Sequence, residues 1–366
     1  MSLETPLKDI QARMGAKFIE FVGWHLPVSY VSPLKEALAV RNYCGVFDVS
    51  HMGRFWIEGR DAVKLLQRAT TNNMDVRPGR ARYTLFLNEN GGIKDDEVIL
   101  RVREDAFLEV TNAATREKIF NWLSHLISKW KLDVRVKDIT FETVMLAVQG
   151  PRAQEIIEPF IEEGLDLKRY RGREVIAFGS KASISRTGYT GEDGFEIIFW
   201  DIEKARNAFK TLVNEGVQPC GLAARDILRL EAGMCLYGND IDENVTPIEA
   251  RLEFAVKLEK GEFIGRDVLI TQKEQGTEIL RVGLLSRSRR APRKGYLVIW
   301  KDEIVGHVTS GTFSPVVNRG IAMAYVPPEL SKPGTQLIVK NKGEIAVEVA
   351  EMPFYDTTKY GLKRMR

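Results

Sequence analysis

Two adjacent carboxylates follow a glycine pair in Gly91-Gly92-Ile93-Lys94-Asp95-Asp96-Glu97, which lies between two apolar runs. The glycines make a tight turn, and strand alternation then sends Asp95 and Asp96 to opposite faces. An inward-pointing Asp could serve as a general base or anchor a developing cation. The alternative is an acidic hairpin facing solvent. Thr111-Asn112 stands at a strand-to-helix junction, where Asn112 is a natural N-cap and equally a ligand-binding amide. A third group is Ser185-Arg186-Thr187-Gly188-Tyr189-Thr190-Gly191-Glu192-Asp193-Gly194-Phe195-Glu196. Glu196 shares a strand face with Ile198, so it is at least half-buried and needs donors or a cation. Downstream, a helix over 221–233 sets Arg225 and Arg229 one turn apart. Their guanidinium groups either pair with Glu196 or Glu231, or join Glu196 in gripping a flat, donor-rich ligand.

Other chemistries lose support. Cys44, Cys220 and Cys235 are scattered without a CxxC, and no two of His25, His51, His125 and His307 are closer than 26 positions. Neither a disulfide framework nor a local zinc site is expected, and no metal is assigned. Walker A and GxGxxG patterns are missing. The glycines at 188, 191 and 194 lie between two strand-like runs, so they read as a hairpin loop. With 53 Lys+Arg against 50 Asp+Glu, the net charge of +3 gives no strong field toward nucleic acid or membrane. Apolar residues at 44% and charged residues at 28% describe a soluble globular chain. No apolar stretch reaches the roughly 18 residues of a membrane span. Met1 to Met14 lack a secretory core, and a cytoplasmic location is expected.

The elements that must position these groups are irregularly mixed. Ala114 to Lys131 carries Ile119, Trp122, Leu123, Leu126, Ile127 and Trp130 on one helical stripe. Asp201 to Glu215 reads as a helix stopped by Gly216, and Gly265 to Gln275 as one ended by Gly276. Strand-like runs are Arg54–Glu58, Tyr83–Leu87, Glu97–Val102, Phe107–Val110, Thr143–Val148 and Phe195–Phe199. Their spacing lacks a steady βαβ rhythm, which predicts an α+β fold. From Ile279 onward six short β-like runs follow without helical period, as in a small barrel or sandwich. The domain boundary is placed near residue 277, giving 1–276 and 277–366.

Val49-Ser50-His51-Met52-Gly53, Gly91-Gly92-Ile93-Lys94-Asp95-Asp96, Arg186-Thr187-Gly188-Tyr189-Thr190-Gly191-Glu192, Arg225–Gly233, Leu236-Tyr237-Gly238 and Ser310-Gly311-Thr312-Phe313-Ser314-Pro315 follow one another in order. Together they resemble the T proteins of the glycine cleavage system, the aminomethyltransferases, from about Thr5 to Tyr360. The resemblance implies a three-domain cloverleaf, with two intertwined α+β folate-binding lobes over 1–276 followed by a C-terminal antiparallel β-barrel. It implies transfer of a methylene group from the aminomethyl group on lipoyl H protein to tetrahydrofolate, or to a modified tetrahydropterin. The products would be 5,10-methylenetetrahydrofolate, ammonia and dihydrolipoyl H protein, with P and L proteins in the same pathway. Carried over position by position, Asp96 matches the family's key carboxylate and Asn112 an asparagine beside it. Tyr189, Glu196 and Arg225 match folate-contacting positions, Met52 and Tyr83 the pocket wall, and Tyr360 a ligand-contacting tyrosine.

Two basic clusters, Arg287/Arg289/Arg290/Arg293/Lys294 and Lys363/Arg364/Arg366, read as a solvated loop and a frayed tail. They could instead steer an acidic H protein or meet a polyglutamyl folate tail. A folate-dependent demethylase domain lacks its dinucleotide-binding partner here. The iron–sulfur-assembly class of folate-binding proteins lacks its Lys-Gly-Cys segment, replaced by Leu236-Tyr237-Gly238-Asn239-Asp240. An RNA-binding module lacks aromatics interleaved with its arginines.

Overall fold

The computed structural model describes residues 2–364. Its first sheet has five antiparallel strands: β1 (Gly53–Glu58), β2 (Ala81–Leu87), β3 (Ile93–Arg103), β4 (Ala106–Thr111) and β5 (Arg135–Asp138). Their spatial order is β2-β3-β4-β1-β5. The helix α1 (Arg116–Trp130) covers one face, because Ile119, Leu123 and Leu126 recur at helical spacing and meet Phe55, Phe86 and Ile99. Each such fully buried side chain contributes roughly 1.5–3 kcal/mol relative to exposure. β3 starts at Ile93, four residues before the expected Glu97, so both Asp95 and Asp96 lie inside the ladder. The turn that feeds it needs glycine for a tertiary reason: a Cβ on Gly92 would stand 1.9 Å from the Glu243 carbonyl oxygen.

A second sheet runs 172–177, 180–185, β6 (Gly194–Phe199), 144–149, 45–48 and 218–219, with only the last contact parallel. Ser185 pairs with Glu196, so residues 186–193 form the expected hairpin loop. The two sheets share a core: Phe47, Met145 and Ile198 of the second pack with Leu100 and Leu108 of the first. Ala224, Ile227 and Leu228 of helix α2 (Leu222–Glu231) complete it. The predicted helix after Asp201 begins as expected, the Asp201 carboxylate accepting from the Lys204 N–H at 3.0 Å. The helix Pro33–Asn42 was not legible, because its buried residues include the charged Glu36 and Arg41.

The third unit is a closed six-stranded antiparallel barrel, Leu280 to Ala350, filled by Val282, Leu284, Val298, Val308, Val339 and Val347. A mixed α+β chain ending in a β-barrel is thus observed. Beyond the barrel the chain returns to the second sheet's hairpin loop and α2. The Phe354 N–H donates to the Glu231 carbonyl at 2.9 Å, and the Gly361 N–H to Glu192 at 2.9 Å. Arg364 donates to the Arg41 carbonyl and to Glu192; this part of the tail is clasped rather than frayed. Arg366 of the second basic cluster lies outside the described residues. Among the described residues no helix is long and apolar enough to cross a membrane.

Buried ion pairs link α2 to the barrel and to the second sheet's hairpin loop. Arg229 donates to Asp240 at 2.6 Å and to the Ser310 hydroxyl of the barrel at 2.8 Å. Arg41 binds Glu231 at 2.8 Å and Glu192 at 3.1 Å. The alternative in which Arg229 pairs with Glu196 or Glu231 is therefore set aside. Asp226 and Asp240 stand nearer to Arg229, and Arg41 from the unpredicted helix claims Glu231.

Candidate functional site

Strand alternation gives the first sheet one covered face and one open one. On the open face Tyr83 pairs with Val98, and Val98 with Val110. Asp96 and Val98 therefore look out beside Tyr83 into a cavity of about 270 Å³ between the sheets. The Tyr83 hydroxyl donates to Asp96 Oδ2 at 3.1 Å, and Asn112 Nδ2 donates to Asp96 Oδ1 at 3.0 Å. Burial, then the negative charge of Asp95, raises Asp96 to about 7, against these two hydrogen bonds. A carboxylate poised there can accept a proton near neutrality.

Asn112 corrects one alternative. Helix α1 starts at Arg116 and Asn112 does not cap it; its amide ties Asp95 Oδ1 (2.8 Å), the Asp96 carbonyl (3.1 Å) and the Asp96 carboxylate together. The solvent-facing acidic hairpin is likewise excluded, since Asp95 is fully buried and Asp96 faces the cavity.

The opposite wall comes from β6 and α2. Glu196 points into the cavity, held by the Thr187 hydroxyl. Burial raises its carboxyl above the usual range, against that hydrogen bond and the charge of Arg225. Arg225 lies over the Tyr189 ring, 4.4 Å from its centre, and makes no ion pair among the described residues. The Tyr189 hydroxyl donates to the Cys235 carbonyl. Among the eight residues singled out from the sequence, seven line this cavity: Met52, Tyr83, Asp96, Asn112, Tyr189, Glu196 and Arg225. Tyr360 does not. It sits edge-on to Tyr355 at 6.4 Å, beneath the Arg364 guanidinium.

Other lining residues were missed. Phe254 stacks on Tyr83 at 5.7 Å and is 64% exposed, forming a flat lip at the opening. It lies in a short 3-10 turn, where no periodicity marks it. Arg281, Tyr170 and Cys235 also reach the wall. Arg281 enters from the first barrel strand, which nothing local connects to the site. A second cavity lies across Met52, Asn112, Tyr189 and Arg225, the four residues it shares with the first, and is rimmed by Ile19, Phe21 and Val22. The site is thus approached from two sides. Lys294 of the first basic cluster borders this second side, donating to the Gly238 carbonyl at 2.9 Å. Among the described residues no group of three or more His, Cys, Asp and Glu side chains is arranged to hold a metal ion.

Comparison with known proteins follows the same outline. The GCVT N-terminal domain family matches residues 7–260, and the glycine cleavage T-protein C-terminal barrel domain matches residues 281–356. The chain is 44% identical to the aminomethyltransferase of Rippkaea orientalis, covering 96% of this chain and 97% of that protein. Identity to the aminomethyltransferase of Thermotoga maritima is also 44%, covering 96% and 97%. The crystal structure of glycine cleavage system aminomethyltransferase T from Bartonella henselae superposes with a TM-score of 0.91. It is 36% identical, and the match covers 99% of this chain and 100% of that one.

Proposed function

Because the chain belongs to the glycine cleavage T-protein family of aminomethyltransferases, we propose that its central cavity joins tetrahydrofolate to an aminomethyl group carried on lipoyl H protein. The observation that carries this reading is the placement of Asp96, tied to Tyr83 and Asn112, across a narrow cavity from Glu196 and Arg225. Glu196 suits the adjacent N–H donors of a pterin, since a carboxylate accepts two parallel hydrogen bonds. At about 270 Å³ the cavity is near the small end of ligand sites. It suits the pterin ring, with the rest of the folate leaving past Phe254.

The reaction asks little covalent chemistry of the protein. Folate N5 attacks the methylene carbon of the S–CH2–NH2 adduct, and the C–N and C–S bonds break as N10 closes the ring. The two N–H protons end on ammonia and the released thiol, so substrates and products balance. The protein's tasks are alignment and exclusion of water, and good alignment supplies about 7–11 kcal/mol of such barriers. Asp96 accepts the proton from the attacking nitrogen and steadies the iminium-like cation as ammonia departs. The second cavity, meeting the first at Met52 and Asn112, is where we place the carrier's arm, so that the two substrates meet from opposite sides.

The deciding experiment measures ammonia and methylenetetrahydrofolate from aminomethyl-loaded H protein, with and without tetrahydrofolate. Folate-dependent turnover is expected. Release with a modified tetrahydropterin alone would change the carrier, and folate binding without turnover would sink the transferase reading. Glu196→Gln is expected to raise the KM for tetrahydrofolate about 10- to 100-fold, the worth of a charge-assisted hydrogen bond. Initial rates at varied folate test this, and an unchanged KM would remove Glu196 from pterin recognition.

A further inference from the structure

Behind Asp96, on the face where strand alternation turns side chains from the cavity, three more carboxylates are buried; Glu97 is also part of the cavity wall. Asp95, Glu97 and Glu109 are each at most 1% exposed. Asp95 and Glu97 stand two residues apart on β3, and Glu109 of β4 lies opposite Ile99, diagonal to Glu97. Asp95 is well served. The hydroxyls of Thr111 (2.6 Å) and Thr115 (2.5 Å), the Asn112 N–H (3.3 Å) and the Asn112 amide (2.8 Å) all donate to it.

Glu97 and Glu109 have no such help. All four of their carboxyl oxygens are buried without a donor. The strands around them present Phe55 from β1, and Thr84 and Phe86 from β2, at the paired positions. The Thr84 hydroxyl accepts from the Asn72 N–H, lies 3.5 Å from the Thr71 hydroxyl, and makes no hydrogen bond to Glu97. Helix α1 adds Ile119 to the same core. The titratable groups acting on Glu97 are Glu109 and Asp95, both within hydrogen-bonding reach. An ionised carboxylate left so costs several kcal/mol. Among the described residues no donor bonds to these oxygens, and a carboxyl proton of the row itself is placed to satisfy them.

We propose that Glu97 stands as a protonated acid between Asp95 and Glu109, and that it is a positioning residue for Asp96. Its O–H supplies the donor this row lacks. Its neutrality keeps further negative charge from accumulating behind Asp96. Asp95 then remains the carboxylate that clamps Asn112, and the Asn112 amide holds Asp96. Burial, followed by the charge of Glu109, drives Glu97 far above the ordinary carboxylate range. Glu109, donated to by Glu97, rises only to about 7.

The role toward Asp96 rests on the function proposed above; the protonation of Glu97 does not, and the two are tested apart. Infrared difference spectra of the full chain against Glu97→Gln, at about pH 8, read the protonation directly, since an ordinary Glu is ionised there. A protonated-carboxyl carbonyl band lost in the variant is the expected result. Loss of a carboxylate band instead overturns the proposal, whatever the turnover assay gives. Glu97→Gln keeps both neutrality and a donor, so kcat should stay within about threefold and the acidic limb of its pH profile should not move. A limb displaced to lower pH would mean a negative charge had been removed, and would equally overturn it. Glu97→Leu is neutral without a donor and should lose about tenfold in kcat with KM unchanged; full activity in this variant overturns the positioning role. If Glu97→Leu does not fold, Glu97→Met, likewise neutral and without a donor, takes its place in the kcat readout, and the protonation of Glu97 is decided by Glu97→Gln in either case.

Discussion

Asp96→Asn keeps its fold and its affinity for folate and loses about 10²- to 10⁴-fold in turnover, the usual worth of a positioned general base. Retention of the fold follows from the surroundings. The side chain faces a cavity, and an Asn amide there can accept from Asn112 with its oxygen and donate to the Tyr83 hydroxyl with its nitrogen. Loss of turnover follows from charge. An amide neither takes a proton nor stabilises the cation formed as ammonia leaves. The wild type adds a second expectation. Burial and Asp95 raise Asp96 to about 7, and a base must be ionised to act. Its kcat should therefore fall as pH drops through about 7 and level off above it, and the variant should lack that limb. Single-turnover rates across pH, beside folate titrations of both proteins, check both statements. Near-wild-type turnover in Asp96→Asn would take the residue out of the mechanism.

Arg229→Met is expected to cost about 3–5 kcal/mol of stability, because it strands a buried charge. The Arg229 and Asp240 side chains are 1% and 0% exposed. Asp240 also accepts from the Thr309 and Ser310 hydroxyls of the barrel, so this pair fastens α2 to the third unit. Removing one partner leaves the other uncompensated, whereas removing both does not. The double variant Arg229→Met/Asp240→Leu should recover most of the loss. Denaturant unfolding of the three variants tests this. A single-variant cost below about 1 kcal/mol would show that Asp240 sheds its charge or finds water.

The local chemistry of the site was written in the sequence, and so was the class of its fold. Alternation along β3 separates Asp95 from Asp96, and the same period sets Glu196 beside Ile198 on β6. The stripe from Ile119 to Trp130 announces α1, and six short β-like runs announce a small barrel or sandwich. These are properties of neighbours along the chain, governed by the 2.0 and 3.6 periods of strand and helix. The motifs running from His51 to Pro315 added a family, and with it seven residues that meet in one cavity.

What only the tertiary structure decided is which partner each polar group finds. Asn112 looks like a helix cap from its neighbours, but Asp95 and Asp96 on the adjoining strand take its amide instead. Arg229 could have met Glu231 two residues along, but Asp240 and the barrel hydroxyls hold it. Tyr360 aligns with a ligand-contacting position, yet the returning tail packs it against Tyr355. Arg41 and Glu36 sit in a helix that periodicity hides, since Arg41 is satisfied by the distant Glu231 and Glu192, and Glu36 by the distant Gly221 N–H together with the nearby Tyr30 and Val31 N–H groups. Glu97 and Glu109 read as ordinary strand carboxylates until the ladder sets them side by side without a donor. Period and propensity act between residues a turn apart. The pairing of buried charge is settled between residues tens to hundreds of positions apart, by the cost of leaving any such group alone.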